Sequence, residues 1–392
     1  MRKSMCMMTA AALASSPLVN AGQSEAGVGY SADLRYRLEL VDQDGFERDA
    51  VASTARLRLG VQSARWHGFD TGAMFHGTRV AGKRLYDDTV RDEDRPVVAD
   101  PADDNLSQAW LRYRLGSAFQ TRVGRQRIID DNARFIGNVG FRQLEQTFDA
   151  ASIAWQPSEN WRLRVYYLDQ ANRVFGPNHP DPLLARADLD AWLGILSRHF
   201  GELQADLYHH RLVFEDRPAS HANTGIRLHG ALPGTATFSW RLEYASQSGI
   251  EDEGPADSQD YIRVELARQR PGWRWFVGHE RLGGDGEDAF QTPLATLHAH
   301  NGWADRFLTT PDNGLRDTWA GLATSAGAWQ LLARAHDFRA DRGGDNFGEE
   351  LNLSAGRPLP GPLHTEIKLA LFEGENGPPD TRKLWWTLTA RW

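Results

Sequence analysis

Arginine is the residue type whose abundance and spacing in this chain could do chemistry. Of the 44 basic residues only four are lysines, so the other 40 are arginines. They recur at alternate positions, as in Arg35 and Arg37 or Arg56 and Arg58. A guanidinium stays charged at any relevant pH and grips a carboxylate with two parallel hydrogen bonds. The spacing therefore predicts a surface that recognises anions, although a GC-rich genome would also enrich arginine.

Alternate arginines need an extended strand to bring them onto one face, because successive strand side chains point to opposite sides. Residues 30–41 meet this requirement, with Leu34 and Leu38 on one face and Arg35 and Arg37 on the other. Similar segments of about ten residues recur along the whole chain. They predict eighteen strands, at 30–41, 53–63, 69–80, 106–115, 119–128, 148–156, 161–170, 189–200, 203–214, 223–232, 236–246, 260–268, 273–282, 317–325, 329–339, 346–355, 363–373 and 384–392.

The connections between these segments alternate in length, giving nine short turns and nine long, acidic loops. Proline and glycine cluster in the short turns, and aromatic residues such as Trp66, Trp161 and Trp273 flank them. Aromatic rings collect where lipid headgroups meet acyl chains. The predicted fold class is therefore all-β: a transmembrane antiparallel barrel of about 18 strands, with short periplasmic turns and long extracellular loops. Its expected location is the outer membrane of a Gram-negative bacterium.

The start of the chain predicts a signal peptide at residues 1–21, with Arg2 and Lys3 before an apolar stretch and Ala21 at the cut. Residues 22–392 would then form a single outer-membrane β-barrel domain. The only cysteine, Cys6, lies in the signal peptide, which excludes disulfides and zinc-thiolate sites from the mature chain. Cleavage changes the formal net charge from −8 to −10, which argues against nucleic-acid binding. No run of apolar residues is long enough for a transmembrane helix.

Several short motifs between residues 105 and 150 resemble the alginate-export family of bacterial outer-membrane porins. They are NLSQAWL at 105–111, VGRQR at 123–127, NARFIG at 132–137, FRQ at 141–143 and QTFDA at 146–150. The resemblance implies a monomeric barrel of eighteen strands that passes an anionic polysaccharide or related sugar acids through an arginine-rich lumen. It also implies that Arg125 and Arg142 contribute to the constriction, with Asp149 as a third candidate. Strict alternation, however, puts Arg125 on the opposite face from Arg122 unless a bulge intervenes.

Strand positions and the resemblance together give the residues expected to border the substrate path. Tyr166 and Trp110 would offer flat surfaces to sugar rings between the charges. The candidates are Arg35, Arg37, Arg56, Arg58, Trp110, Arg112, Arg114, Arg122, Arg125, Arg142, Arg162, Arg164, Tyr166, Arg241, Arg263 and Arg274. Alternatively, the arginines pair with acids such as Glu39, Asp206 and Glu243 and only stiffen the barrel. A mixture of the two is favoured.

The residues give less support to other chemistry. The acidic loops 81–104 and 247–259 offer carboxylates for Ca²⁺, but they lack the spaced ligands of an EF-hand and read as solvated loops. No catalytic residue, metal site or cofactor is predicted, and phosphate-loop, dinucleotide and zincin motifs are absent. Two alternative classes are a hydrolase embedded in the barrel, with Ser197 and His199 on the outer wall, and a soluble secreted protein that binds glycans.

The sequence therefore predicts a channel rather than an enzyme. It would pass anionic saccharides or acidic solutes passively, with a general uptake porin of unknown specificity as the alternative. Loops 129–146 and 283–316 are expected to fold inward and gate the channel, and water rather than packed protein is expected to fill the interior. The expected partners are the transported anion, outer-membrane lipid, lipopolysaccharide and the barrel assembly machinery. The protein should be a monomer and should not bind nucleic acid.

Overall fold

The computed structural model describes residues 27–91, 93–232, 234–250 and 257–392, so the predicted signal peptide lies outside the described residues. The strands are β1 Gly29–Gln43, β2 Ala50–Gln62, β3 Phe69–Val80, β4 Asp104–Leu115, β5 Phe119–Gln126, β6 Thr147–Ser158, β7 Trp161–Asn172, β8 Arg186–Phe200, β9 Leu203–Phe214, β10 His221–Leu232, β11 Thr235–Gly249, β12 Gln259–Arg270, β13 Trp273–Leu282, β14 Leu315–Ala326, β15 Trp329–Arg339, β16 Asn346–Pro358, β17 Leu363–Gly374 and β18 Thr381–Arg391. A short helix, α1 (Pro182–Ala185), and a 3₁₀ turn (Leu297–Ala299) accompany them. In the part of the chain described, no helix has the length and apolar character needed to cross a membrane.

The sheet closes on itself into a barrel. Each strand pairs antiparallel with the next in sequence, and β18 pairs with β1 from Asp33 opposite Arg391 to Gln43 opposite Thr381. Closure satisfies the backbone groups that lipid cannot solvate. The predicted all-β barrel and its strand number are confirmed. The predicted number of short turns, nine, is wrong. Eighteen consecutive strands have seventeen connections, and because the first strand begins and the last strand ends at the periplasmic side, nine of these are outer loops and eight are short turns.

Alternation along each strand sorts charged from apolar side chains. In β1, Arg35, Arg37 and Glu39 are buried inside the barrel, whereas Leu34 faces outward and is 47% exposed. The same division holds in β2, where Leu59 is 47% exposed on the outer face. The outward apolar surface is the one that meets hydrocarbon, where an arginine at the bilayer midplane would cost about 2–4 kcal/mol.

Glycine sets the geometry of several periplasmic turns. Gly201, Gly272 and Gly327 have φ of +61°, +83° and +61°, which is the left-handed region that side chains with a Cβ rarely adopt. A Cβ at any of the three would meet no atom within 4 Å, so the backbone conformation and not crowding explains the glycine. These tight reversals keep the periplasmic connections short.

Two long loops fold into the barrel, as predicted. We call residues 127–146 the first inner loop and residues 283–314 the second inner loop. Phe135 and Ile136 of the first, and Phe290 and Leu294 of the second, are buried in one apolar cluster that also includes residues of the barrel wall. The expectation of an interior occupied by water instead of packed protein is therefore wrong at the level of these loops. Their apolar side chains gain by leaving water, as in any protein core.

The acidic loop between β3 and β4 is partly ordered against the barrel rim. Tyr86 and Val98 are buried against Ala50 and Ala52 of β2, and its Asp103 accepts a hydrogen bond from Asn178 at 2.6 Å. Among the described residues, no group of three or more His, Cys, Asp or Glu side chains is arranged to hold a metal ion.

Candidate permeation path

The inner face of the barrel carries all but one of the predicted path residues that lie on strands. Burial alternates so that their side chains point inward, and Arg142 reaches the interior from the first inner loop. Arg125 is the exception. It shares the outer face with Val123, which is 55% exposed, and its Nε donates to Asp149 Oδ1 at 2.7 Å.

The placement of Arg125 and Asp149 at the constriction is therefore wrong. The pairing of β5 with β4 and with β6 continues without a bulge from Arg122 through Arg125. Arg122 and Arg125 are three positions apart in an unbroken strand, so their side chains must lie on opposite faces. Period-two alternation predicts the outer face for Arg125 correctly, whereas the family motif predicts the wrong face.

Four inward side chains on β4 and β5 form what we call the arginine–tryptophan cluster: Trp110, Arg112, Arg114 and Arg122. The guanidinium carbons of Arg112 and Arg122 lie 5.0 and 4.6 Å from the centre of the Trp110 ring. These positions alternate on β4, and Arg122 is directly opposite Arg112 on β5, so the sheet itself brings them together. The cluster lies in the periplasmic half of the barrel.

One carboxylate serves this cluster. Asp70 of β3 accepts from Arg112 Nε at 2.8 Å and from Arg114 at 2.8 Å, whereas Arg122 has no ion pair within the described ranges. Beside it, Gly72 leaves room for Trp110, because a Cβ at this glycine would come within 2.5 Å of the indole ring. The three guanidinium groups of the cluster share the single carboxylate of Asp70, so the indole ring of Trp110 is surrounded by an excess of positive charge.

Gln143 fastens the first inner loop to three strands. Its side chain accepts from Arg35 Nε at 2.9 Å and donates to Thr54 Oγ1 at 2.8 Å. Its carbonyl accepts from His76 Nε2 at 2.6 Å, and its backbone N–H donates to Asp100 at 2.6 Å. Arg35 is therefore engaged in holding the loop and is not free for solute.

Arg142, the neighbouring residue, is surrounded by acids. Its guanidinium lies 3.3 Å from Glu39, 3.2 Å from Asp305 and 4.0 Å from Asp100. Burial alone would lower the pKa of Arg142, but the three carboxylates outweigh burial and raise it. Asp305 belongs to the second inner loop, so this arginine joins both inner loops to β1. Arg142 lies inside the barrel with its charge matched by acids, and its contribution to the constriction stays a prediction.

Arg134 is a second bridge between the inner loops, and the candidate set missed it. It donates to Glu280 of β13 at 3.0 Å, to Thr292 at 3.0 Å and to Asn301 at 3.1 Å, and only 1% of it is exposed. Its position within the NARFIG motif is the signal in the sequence that could have identified it, because this motif lies in the loop that folds inward.

A histidine lies where the inner loops meet the wall. His298 Nδ1 donates to Asp305 at 2.8 Å, and its Nε2 accepts from Lys368 Nζ at 2.9 Å. The Phe141 ring stacks on it with centres 3.5 Å apart. Burial lowers the pKa of His298 to about 3, and Lys368 adds to the effect although Asp305 opposes it. The ring is therefore neutral at pH 7.

The remaining arginines divide into paired and unpaired groups. The paired ones are Arg37 with Asp100, Arg56 with Asp33, Arg58 with Glu145, Arg164 with Asp130, Arg241 with Asp131 and Arg263 with Glu280. Arg227 of β10, also absent from the candidate set, contacts Asp130, Asp206 and Glu243. Over the described residues, Arg122, Arg162 and Arg274 have no ion pair. Whether the unpaired arginines contact a solute stays a prediction.

The enzyme alternative loses its geometric basis. Ser197 lies on the inner face of β8, is 3% exposed and pairs with Asp206 across the strands, so it does not face the outer wall. His199, two residues further along, lies on the same inner face at the periplasmic end. A membrane-surface hydrolase needs both groups outside, where lipid or its products can reach them.

Comparison with known families adds to this geometry. The family model for alginate export matches residues 27–171. The resemblance to the alginate-export family is confirmed. The matched part contains the arginine–tryptophan cluster, the first inner loop and β1 to β6. No curated protein matches the chain.

Solved structures share the whole fold at low sequence identity. OccAB2 of Acinetobacter baumannii is 16% identical with a TM-score of 0.71, over 93% of this chain and 98% of its own. OpdO of Pseudomonas aeruginosa is 17% identical with a TM-score of 0.72, over 93% and 97%. OpdK of P. aeruginosa with vanillate is 14% identical with a TM-score of 0.67, over 93% and 99%. These neighbours are outer-membrane porins. The chain is an outer-membrane β-barrel of a Gram-negative bacterium.

Proposed function

We propose that this barrel is a channel for anionic saccharides or other acidic solutes, and that the arginine–tryptophan cluster selects them. The observation that carries the proposal is the sharing of Asp70 by Arg112 and Arg114 while Arg122 stays unpaired beside Trp110 in the described part of the chain. Guanidinium groups in a narrow aqueous path lower the cost of bringing in a carboxylate and repel cations. The indole ring of Trp110 between these groups could stack against the apolar face of a sugar ring.

The extracellular half plays a different part in this proposal. Its charges hold the inner loops in place, since Arg142 and Arg134 each join both loops to the wall. Passage then requires these loops to move, which makes them the gate. Selectivity would reside in the periplasmic half, and control of opening in the extracellular half.

The test is the reversal potential in planar bilayers under a potassium chloride gradient. Anion preference is expected for the unmodified protein, and the double variant Arg112→Gln with Arg122→Gln should move toward equal permeability of both ions. Arg125→Gln is the matched control, because that arginine lies on the outer wall. Cation preference in the unmodified protein would overturn the proposal.

A smaller solute is the second candidate. OpdK, whose structure contains vanillate, shares this fold, and packed inner loops obstruct a polymer more than a small carboxylate. Block of the open-channel current by uronate oligomers would favour the saccharide. Block by an aromatic carboxylate such as vanillate, with no effect of the oligomers, would favour the small solute.

A further inference from the structure

Outward-facing arginines have different partners at the extracellular and periplasmic ends of the barrel wall. Near the extracellular ends of the strands, every outward arginine for which the structure describes a contact has a carboxylate partner. These ion pairs are Arg79 with Asp104, Arg125 with Asp149, Arg186 with Asp188, Arg211 with Asp190, Arg281 and Arg316 with Asp341, Arg339 with Asp337, and Arg382 with Asp42. At this rim each of these eight arginines therefore has a carboxylate partner within the protein, with Asp341 shared by two of them.

At the periplasmic rim, three outward arginines of the described residues differ from these, because each has an aromatic ring as its partner. Arg198, Arg268 and Arg357 stand within three residues of the periplasmic ends of β8, β12 and β16. None of them forms an ion pair within the described residues. Instead, each guanidinium lies over an aromatic ring of the membrane boundary: the distance is 4.8 Å from Arg268 to Phe238 and 5.3 Å from Arg357 to Trp329.

Arg198 contacts two aromatic rings, whereas Arg268 and Arg357 contact one each. Its guanidinium carbon lies 4.5 Å from the Trp161 ring and 5.1 Å from the Phe200 ring. Trp161 is directly opposite it on β7, and the small Ala205 is opposite on β9, so one side is fixed by a ring and the other is open. Its Nε is buried without a hydrogen-bond partner, as is that of Arg268. The aromatic contacts hold the group in place without satisfying its donors.

A guanidinium held in this way needs an anion of matching geometry. The planar fork of arginine binds two oxygens of a phosphate at once, and ordering by aromatic rings reduces what is lost on binding. At this height the outer face meets the headgroups of the periplasmic leaflet, which supply phosphodiesters. No outward acid of a described strand competes there, in contrast to the extracellular rim.

We propose that Arg198, Arg268 and Arg357 form phosphate-binding sites for phospholipids of the periplasmic leaflet. Such sites would set the depth and tilt of the barrel, because three fixed points spread over β8, β12 and β16 define a plane. The extracellular rim, with its internal ion pairs, would lack this specific hold. The inference concerns the outer wall and does not depend on what passes through the interior.

The test is native mass spectrometry of the detergent-purified protein titrated with dioleoylphosphatidylglycerol. The triple variant Arg198→Gln, Arg268→Gln and Arg357→Gln should bind the lipid about tenfold more weakly, as expected when charge-assisted hydrogen bonds are lost. The matched control replaces Arg79, Arg211 and Arg339 by Gln, which removes the same charge from the opposite rim. The heat-dependent shift of the folded barrel on gels shows that each variant is folded.

Three outcomes would overturn the proposal. One is equal lipid binding by the triple variant and the unmodified protein. The second is a failure of a control. An equal loss of binding in the control variant would make total charge responsible, and equal binding of dioleoylglycerol, which carries no phosphate, would make the apolar wall responsible. The third is full displacement of the lipid by inorganic phosphate at equal concentration, which would make these sites for free phosphate.

Discussion

Gln143 is the residue of the first inner loop that forms hydrogen bonds to three strands, and its side chain makes two of these contacts. Replacing it by Leu removes the partners of Arg35 Nε and Thr54 Oγ1 while keeping its size. A buried donor left without a partner costs about 1–3 kcal/mol. The Gln143→Leu channel is therefore expected to open more often in single-channel recordings.

The control for this variant is Gln269→Leu, which changes a glutamine bonded only to the periplasmic turn backbone in the described contacts. It should keep the opening frequency of the unmodified channel. An unchanged opening frequency in Gln143→Leu, with the barrel folded, would show that the loop is held by its other contacts or does not gate.

For single residues, the period-two alternation predicted the face of the sheet more reliably than the family motif did. Period-two alternation placed the arginines of β1, β2, β4 and β7 on the correct face, because the outer face must be apolar. For Arg125 the family motif and the position in the strand predict different faces, and the structure agrees with the position in the strand. The ion-pair partners could not be predicted, since Arg142 and Asp305 are far apart in sequence and meet only when both loops fold inward.

The two inner loops act as one element, and their junction responds to pH. The groups that face His298 are Asp305 and Arg142 from the loops and Lys368 from β17. The pKa of His298 is about 3 in the docked state, against 6.5 for an ordinary histidine. Docking stability is therefore complete above pH 6.5 and falls as the pH decreases toward 3, because the undocked loop binds the proton more tightly.

Between pH 7 and pH 5 this difference weakens docking by about 2 kcal/mol. Channel opening should therefore increase on acidification, and His298→Gln should reduce that response. His67→Gln, in an exposed periplasmic turn, is the control. A pH response that persists unchanged in His298→Gln would assign it to other groups, such as His300, whose pKa is also lowered by burial.

The elements themselves were largely predictable. The bounds of β3, β9, β13 and β15 agree with the prediction to the residue, because aromatic residues and turn glycines mark their ends. The extracellular ends are less accurate, as for β8, which begins at Arg186 and not at residue 189. At that end the strands extend beyond the membrane. Their outward side chains are polar there, so the alternation of apolar and polar residues ends although the backbone hydrogen bonds of the sheet continue.

On the scale of the whole molecule, fixed charge is distributed unevenly along the barrel axis. The periplasmic half contains the arginine–tryptophan cluster with its excess of guanidinium groups, whereas the extracellular loop between β3 and β4 is rich in aspartate. A pore with positive charge at one mouth and negative charge at the other concentrates anions asymmetrically. Its conductance should therefore depend on the sign of the applied voltage.

Screening decides how far this asymmetry reaches. The Debye length is about 10 Å at 0.1 M salt and about 3 Å at 1 M, so charges at the mouths influence passing ions strongly only in dilute salt. Bilayer recordings should show unequal currents at equal positive and negative voltages in 0.1 M potassium chloride and nearly equal currents at 1 M. Arg112→Gln with Arg122→Gln should reduce the difference in dilute salt, and Arg125→Gln should leave it intact, because only the first pair lies on the inner face. Equal currents in dilute salt from the unmodified protein would mean that the cluster is neutralised or lies off the path of the ions.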